Sequence, residues 1–527
     1  MFKNQPKGLF ALALANTGER FGYYTMLAVF VLFLRANFGL ESHVAGQIYS
    51  IFLALVYFMP LVGGIIADKI GYGKCVTLGV LIMFAGYLCL SIPLGGGTIA
   101  LSVMIAALVL ISIGTGLFKG NLQVMVGNLY DDPKYADKRD TAFSLFYMAI
   151  NIGAMFAPTA TVKIMAWAQS EFSISINDSY HFAFMVACAS LVLSIIIYYA
   201  CRPWFRHVEN SVKQAASSGQ VVDNLTPEQT RKRIVALCLV FAVVIFFWMA
   251  FHQNGLTLTF FADEFVHPKA TGVQSMAFDI VNLVMIIVLV YGLFGLFQSN
   301  TSKGKTISSI SCVAAIGVLV YKYLNIAPAG VGLAAPIFQQ FNPFYVVALT
   351  PVSMAIFGAL AKKGKEPSAP RKIAYGMLVA ASAYVLMAVL STDLLCPTAQ
   401  DAAIGYDPTK ENQDVLKLKM DALNNGFTNF ANPNMLLGTY LILTFGELLL
   451  SPMGISFVSK VAPPKYKGMM MGGWFVATAI GNYLVSVGSN FWGDMPLWGL
   501  WSIFVGVCTV AAIFMFAMMR KLEDATK

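Results

Sequence analysis

The hydrophobic pattern of this chain is neither the alternation of a half-buried strand nor the one-sided stripe of a surface helix. It consists of long apolar runs that recur from end to end, parted by short polar breaks. Crossing the hydrocarbon core of a bilayer takes about 20 residues of helix. Runs of that length fall near 8–34, 44–67, 74–94, 98–129, 141–166, 180–201, 234–262, 277–298, 307–325, 342–361, 373–394, 434–457, 468–489 and 497–519. They predict an all-α polytopic membrane protein with about fourteen spans. The polar stretch 202–233 holds Ser217-Ser218-Gly219, ends in Arg231-Lys232-Arg233, and reads as a linker between residues 1–201 and 234–527. Each half is expected to supply one bundle of helices.

Composition agrees with the pattern: 58% of the 527 residues are hydrophobic and 12% are charged, more apolar sequence than a soluble core needs. Lys and Arg gather in alternate loops, with Lys69, Lys74, Lys134, Arg202, Arg206, Lys303, Lys305, Lys362, Lys363, Arg371, Lys460 and Arg520 on one side. The other side carries few, such as Arg35, Lys269, Lys410, Lys417 and Lys419. By the positive-inside rule both termini are cytoplasmic. The net charge of +9 is therefore a topology signal and not a nucleic-acid footprint. Glu19 and Arg20 interrupt the first run, so it is expected to stay as helix one and not to be cleaved as a signal peptide. Cysteine spacing suggests neither a disulfide framework nor a zinc site. No G-x-x-x-x-G-K-[ST] motif occurs, so a gradient must drive any transport.

Polar residues inside the spans then become the candidates for chemistry. Wound as a helix, N-T-G-E-R-F-G-Y-Y puts Asn16, Glu19, Arg20, Tyr23 and Tyr24 on one face. Charges at bilayer depth must face a bundle interior or a wet cavity. A solute pathway satisfies that, and so does a Glu19/Arg20 pair that only locks helix packing. Tyr57 precedes the cluster Asp68-Lys69 with Gly71, Gly73 and Lys74, which reads as a gating turn or simply a tight polar one. Lys119 lies too deep to snorkel easily. Asn151 is either a substrate contact or glue between helices. His252 sits deep in the seventh run as a structural residue or a proton carrier. Asn342 opens a later span, and Glu447 has no basic residue near it in sequence.

Together these motifs resemble the proton-coupled oligopeptide transporters, the POT family of the major facilitator superfamily. The resemblance rests on E-R-F-G-Y-Y at 19–24, the 57–74 cluster, F-K-G-N at 118–121, F-S-L-F-Y-M-A-I-N-I-G-A at 143–154, and F-W-M-A-F-H-Q-N-G at 247–255. Q-Q-F-N-P at 339–343, G-E-L-L-L-S-P at 446–452 and M-G-G-W-F at 471–475 complete it. It implies two six-helix bundles plus an inserted hairpin at about 277–325, and symport of di- and tripeptides with protons, without metal or cofactor, by a monomer in the plasma membrane. Arg20 and Lys119 then correspond to the residues associated with the peptide carboxylate and proton coupling. Glu447 corresponds to the acid that takes the amino terminus. Tyr23, Tyr24, Tyr57, Asn151 and Asn342 would contact peptide, and Trp474 would form a pocket wall. Two departures stand out. Asn16 replaces the first glutamate of E-x-x-E-R, and His252 replaces the acid of the helix-seven motif, so protonation is expected on Glu19, His252 and Glu447. The hairpin is expected to pack outside the cavity, with Asp279 and Asn282 at an interface. An enzyme is not expected, since no nucleophile, paired acid or metal cluster is apparent. Between 395 and 433, K-L-K-M-D-A-L-N is expected as one short surface helix.

Overall fold

The computed structural model describes residues 5–135, 139–209, 225–463 and 466–525. Among them, fourteen helices are long and apolar enough to cross a membrane. The first bundle comprises α1 (Lys7–Phe38), α2 (Ser42–Ile70), α3 (Tyr72–Leu90), α4 (Thr98–Asn128), α5 (Arg139–Phe172) and α6 (Ile176–Ala200). After the linker come α7 (Pro227–Phe251), a single 3₁₀ turn over His252–Gly255, and α8 (Thr257–Glu264), which together make one broken span. A short α9 (Val273–Met276) leads to the hairpin α10 (Ile280–Gln298) and α11 (Ser302–Leu324). Next are α12 (Phe341–Lys362), α13 (Ala369–Leu390), the loop helices α14 (Pro397–Ile404) and α15 (Val415–Asn424), and α16 (Pro433–Val461). The chain closes with α17 (Lys467–Tyr483), α18 (Ser486–Asn490), α19 (Leu497–Ala517) and α20 (Met519–Asp524). Fourteen crossings return the chain end to the face from which it started; the opposite one is called the far face.

Glycine sets how closely the first bundle packs. A methyl group added at Gly63 on α2 would overlap the Gly116 carbonyl of α4, and one at Gly79 on α3 would crowd the Gly114 carbonyl. In lipid, where apolar burial drives little association, such backbone approaches are a main source of helix affinity.

Several boundaries differ from expectation. Helix α7 begins at Pro227 and not at 234, because Thr226 and Gln229 form a reciprocal cap and proline suits the first turn. The basic run 231–233 therefore sits on a helix; Ser217-Ser218-Gly219 lies outside the described residues. The loop 395–433 holds two helices, and Lys419 on α15 is buried, its Nζ donating to the carbonyls of Ala262 and Val266 at 3.1 and 3.0 Å. Arg35, counted above as a loop charge, is buried in the last turn of α1. The hairpin lies outside the central site, as expected. Tyr291 of α10 donates to Val347 of α12 at 3.2 Å and reaches Met148 of α5. Asp279 caps α10 and pairs with Lys322 at 2.7 Å, while Asn282 donates to the Met276 carbonyl.

Candidate functional site

The polar face of α1 is buried where the two bundles meet. Arg20 donates through Nε and Nη2 to the two carboxylate oxygens of Glu19, each at 2.5 Å. Its guanidinium carbon lies 4.6 Å from the Tyr23 ring centre. Both charges are almost wholly removed from water, so their pairing offsets part of a large desolvation cost. Asn16, one turn before Glu19, is buried with its side-chain nitrogen unpartnered. Tyr23 is buried with a free hydroxyl and packs edge-on against Tyr24.

Lys119 on α4 is half-buried and lies 4.2 Å from the Tyr57 ring centre, a cation–π arrangement that replaces lost hydration. It is within electrostatic reach of Arg20 and Glu19. From the second bundle, Glu447 on α16 accepts from Asn342 at 2.9 Å and from Tyr147 of the opposite bundle at 3.1 Å. Asn342 also donates to Thr444 at 3.0 Å, which fixes its amide. Tyr147 keeps 40% of its surface exposed, so side chains do not fill the space it crosses. Tyr24 is within reach of Arg20, Glu19 and Glu447 at once.

His252 occupies the 3₁₀ turn that breaks the α7–α8 span. Broken backbone inside a membrane persists where side chains or a cavity satisfy it. Here Gln253 donates to the Val485 carbonyl at 2.8 Å, beside the Gly488 N–H that also bonds it, at the matching break between α17 and α18. His252 Nδ1 bonds Asn482 Oδ1 at 2.5 Å, its ring stacks on Trp248, and Tyr57 lies 5.9 Å away between ring centres.

The structure thus brings Glu19, Arg20, Tyr23 and Tyr24 of α1 within electrostatic reach of Tyr57, Lys119 and Glu447, with Asn342 bonded to Glu447 and His252 near Tyr57. Four sequence candidates stand differently. Asn151 donates to the Tyr147 carbonyl of its own helix at 2.9 Å, supporting the tyrosine that meets Glu447. Trp474 is buried with 4% exposure, its ring filling the space beside Gly454. Lys69 is exposed in the last turn of α2, and the side chain of Asp68 lies outside what is described.

Sequence reasoning missed the closure at the far face. Arg35 Nη1 pairs with Glu264 Oε1 at 2.6 Å between the two bundles, both side chains buried. Trp492 donates to the other Glu264 oxygen at 3.1 Å, and Arg35 lies over the rings of Phe260 and Tyr406. Gln339 donates to the Ala28 carbonyl, and Thr159 to Gln340 at 2.6 Å, so backbone and side chains join the bundles here as well. The loop 395–433 roofs this closure, with Asn412 N–H donating to the Ala36 carbonyl and Gln400 to the Glu264 carbonyl. Beneath it is a cavity of about 210 Å³, lined partly by Arg35, Tyr180, Asp263 and Tyr406, none of them in the cluster around Arg20 and Glu447. An acid at the end of the seventh run, F-A-D-E-F, was the available signal.

Comparison with known proteins gives concordant matches. The POT family model matches residues 73–227 and 324–497. The Di-/tripeptide transporter of Lactococcus lactis subsp. lactis is 25% identical, the match covering 90% of this chain and 87% of that one. Dipeptide and tripeptide permease A of Escherichia coli is 24% identical, covering 99% and 94%. Among solved structures, a peptide transporter POT in complex with sulfate superposes with a TM-score of 0.70 at 23% identity, covering 100% and 96%. A POT family transporter in complex with 5-aminolevulinic acid gives 0.70 at 20% identity, covering 100% and 98%. These likenesses establish the major facilitator architecture.

Proposed function

The chain belongs to the POT family, and on that premise we propose that it carries di- and tripeptides with protons across the plasma membrane. Its two bundles would rock around a midplane site, with both termini cytoplasmic and one chain sufficient. The observation that carries this reading is the bond from Tyr147 to Glu447, an acid of the second bundle that shares its reach to Tyr24 with Arg20 of the first. A short peptide is a zwitterion, and two or three residues span roughly 7–11 Å. A gap with cations on one wall and a carboxylate on the other matches both of its ends. The tyrosines leave the side-chain pockets apolar and tolerant.

The same geometry supports a coupling scheme. While Glu19 is ionised, it occupies the Nε–Nη2 edge of Arg20, and a peptide carboxylate must compete with it for that edge. Protonating Glu19 removes that competitor and frees the guanidinium for substrate. His252 and Glu447 are the further proton carriers in this reading, which compensates for Asn16. A second reading, uptake of a small anion such as nitrate, is favoured by one feature: His252 stands where an acid would repel an anion. That reading gives Glu447 no task.

Uptake into proteoliposomes under an imposed proton gradient separates the two. Labelled dialanine and trialanine should enter in wild type, nitrate should not, and Glu447→Gln should lose at least 10-fold of peptide uptake. Nitrate uptake without peptide uptake, or full peptide uptake by Glu447→Gln, overturns the proposal. His252→Gln should flatten the pH dependence; an unchanged profile removes His252 from the scheme.

A further inference from the structure

Two helix breaks oppose each other inside the second bundle, and one buried amide spans them. Asn482 is fully buried at the end of α17, and its Nδ2 has no partner. Burying an amide that satisfies only half its hydrogen-bonding capacity costs stability. The Asn482 side chain makes one hydrogen bond among the described residues, from Oδ1 to His252 Nδ1. Because an amide oxygen can only accept, Nδ1 carries a proton and the neutral imidazole is the Nδ1–H tautomer. Its lone pair is therefore on Nε2, which has no protein partner among the described residues. Stacking on Trp248 at a ring-centre distance of 5.0 Å fixes the plane of the ring.

We propose that Asn482 is a positioning residue for proton movement at His252, holding the imidazole so that Nε2 is the atom that takes up and releases the proton. This deepens the coupling scheme above and rests on it. Of the titratable and charged groups around His252, Tyr57 of α2 lies 5.9 Å away between ring centres, Lys119 of α4 is within electrostatic reach, and Tyr384 of α13 and Tyr440 of α16 bond the Ala250 and Asn254 carbonyls on either side of it. The Glu19–Arg20 pair of α1 lies beyond Lys119. None of these groups hydrogen-bonds the imidazole among the described residues, so Trp248 sets the plane of the ring and the bond to Asn482 sets which nitrogen carries the proton.

The test compares the pH at half-maximal dialanine uptake in proteoliposomes of wild type, Asn482→Asp, Asn482→Leu and His252→Gln. Dialanine counterflow, which needs no proton gradient, reports whether each variant folds and cycles. Aspartate keeps the shape and the acceptor but adds a negative charge, so it should move the midpoint upward by about 1 pH unit or more. Leucine removes the acceptor and should move the midpoint the other way or flatten the profile. Merely structural damage would lower uptake in both without moving the midpoint in opposite senses. If His252→Gln alters the profile while both Asn482 variants keep the wild-type midpoint, the positioning role is overturned and the coupling scheme survives. If His252→Gln leaves the profile unchanged, both fall.

Discussion

Replacing Glu264 with glutamine should open the far face, which by the orientation proposed above is the outer one. The substitution keeps side-chain volume and the capacity to accept from Trp492, but it removes the carboxylate paired with Arg35 and leaves the buried cation with only the more distant Asp263 and Asp401. Removing one partner of a buried ion pair costs about 3–5 kcal/mol. That cost applies to the closed arrangement, where Arg35 is 2% exposed, and vanishes once the bundles part and water reaches the guanidinium. At about 1.4 kcal/mol per tenfold, the ratio of closed to open molecules should fall by roughly 100-fold to several thousand-fold. A protein resting about 99:1 closed would become at least evenly divided. Spin labels at Ile99 and Trp498, exposed positions at the far ends of α4 and α19, would report this as a longer inter-label distance in a background with native cysteines replaced. Adding Arg35→Met removes the orphaned cation and should return the distances toward the closed set. Superimposable distributions for wild type and Glu264→Gln, or a double variant as open as the single, would refute the reasoning.

Two further outcomes follow from packing and charge. Gly63→Ala should lower the thermal midpoint in detergent by several degrees, since overpacking against the Gly116 carbonyl costs about 1–3 kcal/mol, whereas Gly64→Ala, with nothing within 4 Å, should be silent; equal effects would mean the α2–α4 approach is not tight. Burial and the nearby Glu264 carboxylate push the Asp401 carboxyl in the far-face loop up to about 9, against about 3.9 unfolded. Between those values the unfolded chain has lost the proton and the folded one keeps it, so stability falls as pH rises through the window. Asp401→Asn should make the fall in thermal midpoint from about pH 5 to 9 shallower, and an unchanged slope would show that Asp401 does not titrate there.

The spans were legible because apolar runs of bilayer length have few other uses, and the central residues because a charge within such a run is conspicuous. Glu19, Arg20, Lys119 and Glu447 needed only that signal. What stayed hidden were partnerships made in three dimensions. Arg35 and Glu264 are 229 positions apart, and each sits at a run's end, where a charge commonly meets water. Asn482 lies in G-N-Y with nothing nearby to suggest a histidine 230 positions away. Lys419 was misread for a related reason: its helix is polar locally, and only two carbonyls of another segment make its burial tolerable. The starts of both loop helices were readable, from Pro397 in a first turn and from Asp414 as a cap, had the loop been searched for them.

The two buried ion pairs answer to different inputs because of where their members sit. Glu19 and Arg20 are neighbours on one helix, so no relative motion of the halves can pull them apart; in the coupling scheme proposed above, a proton on the acid releases them. Arg35 and Glu264 belong to opposite halves, so any rotation that parts the halves severs them. One is a chemical latch and the other a mechanical clasp, and a complete turnover has to undo each in its own way.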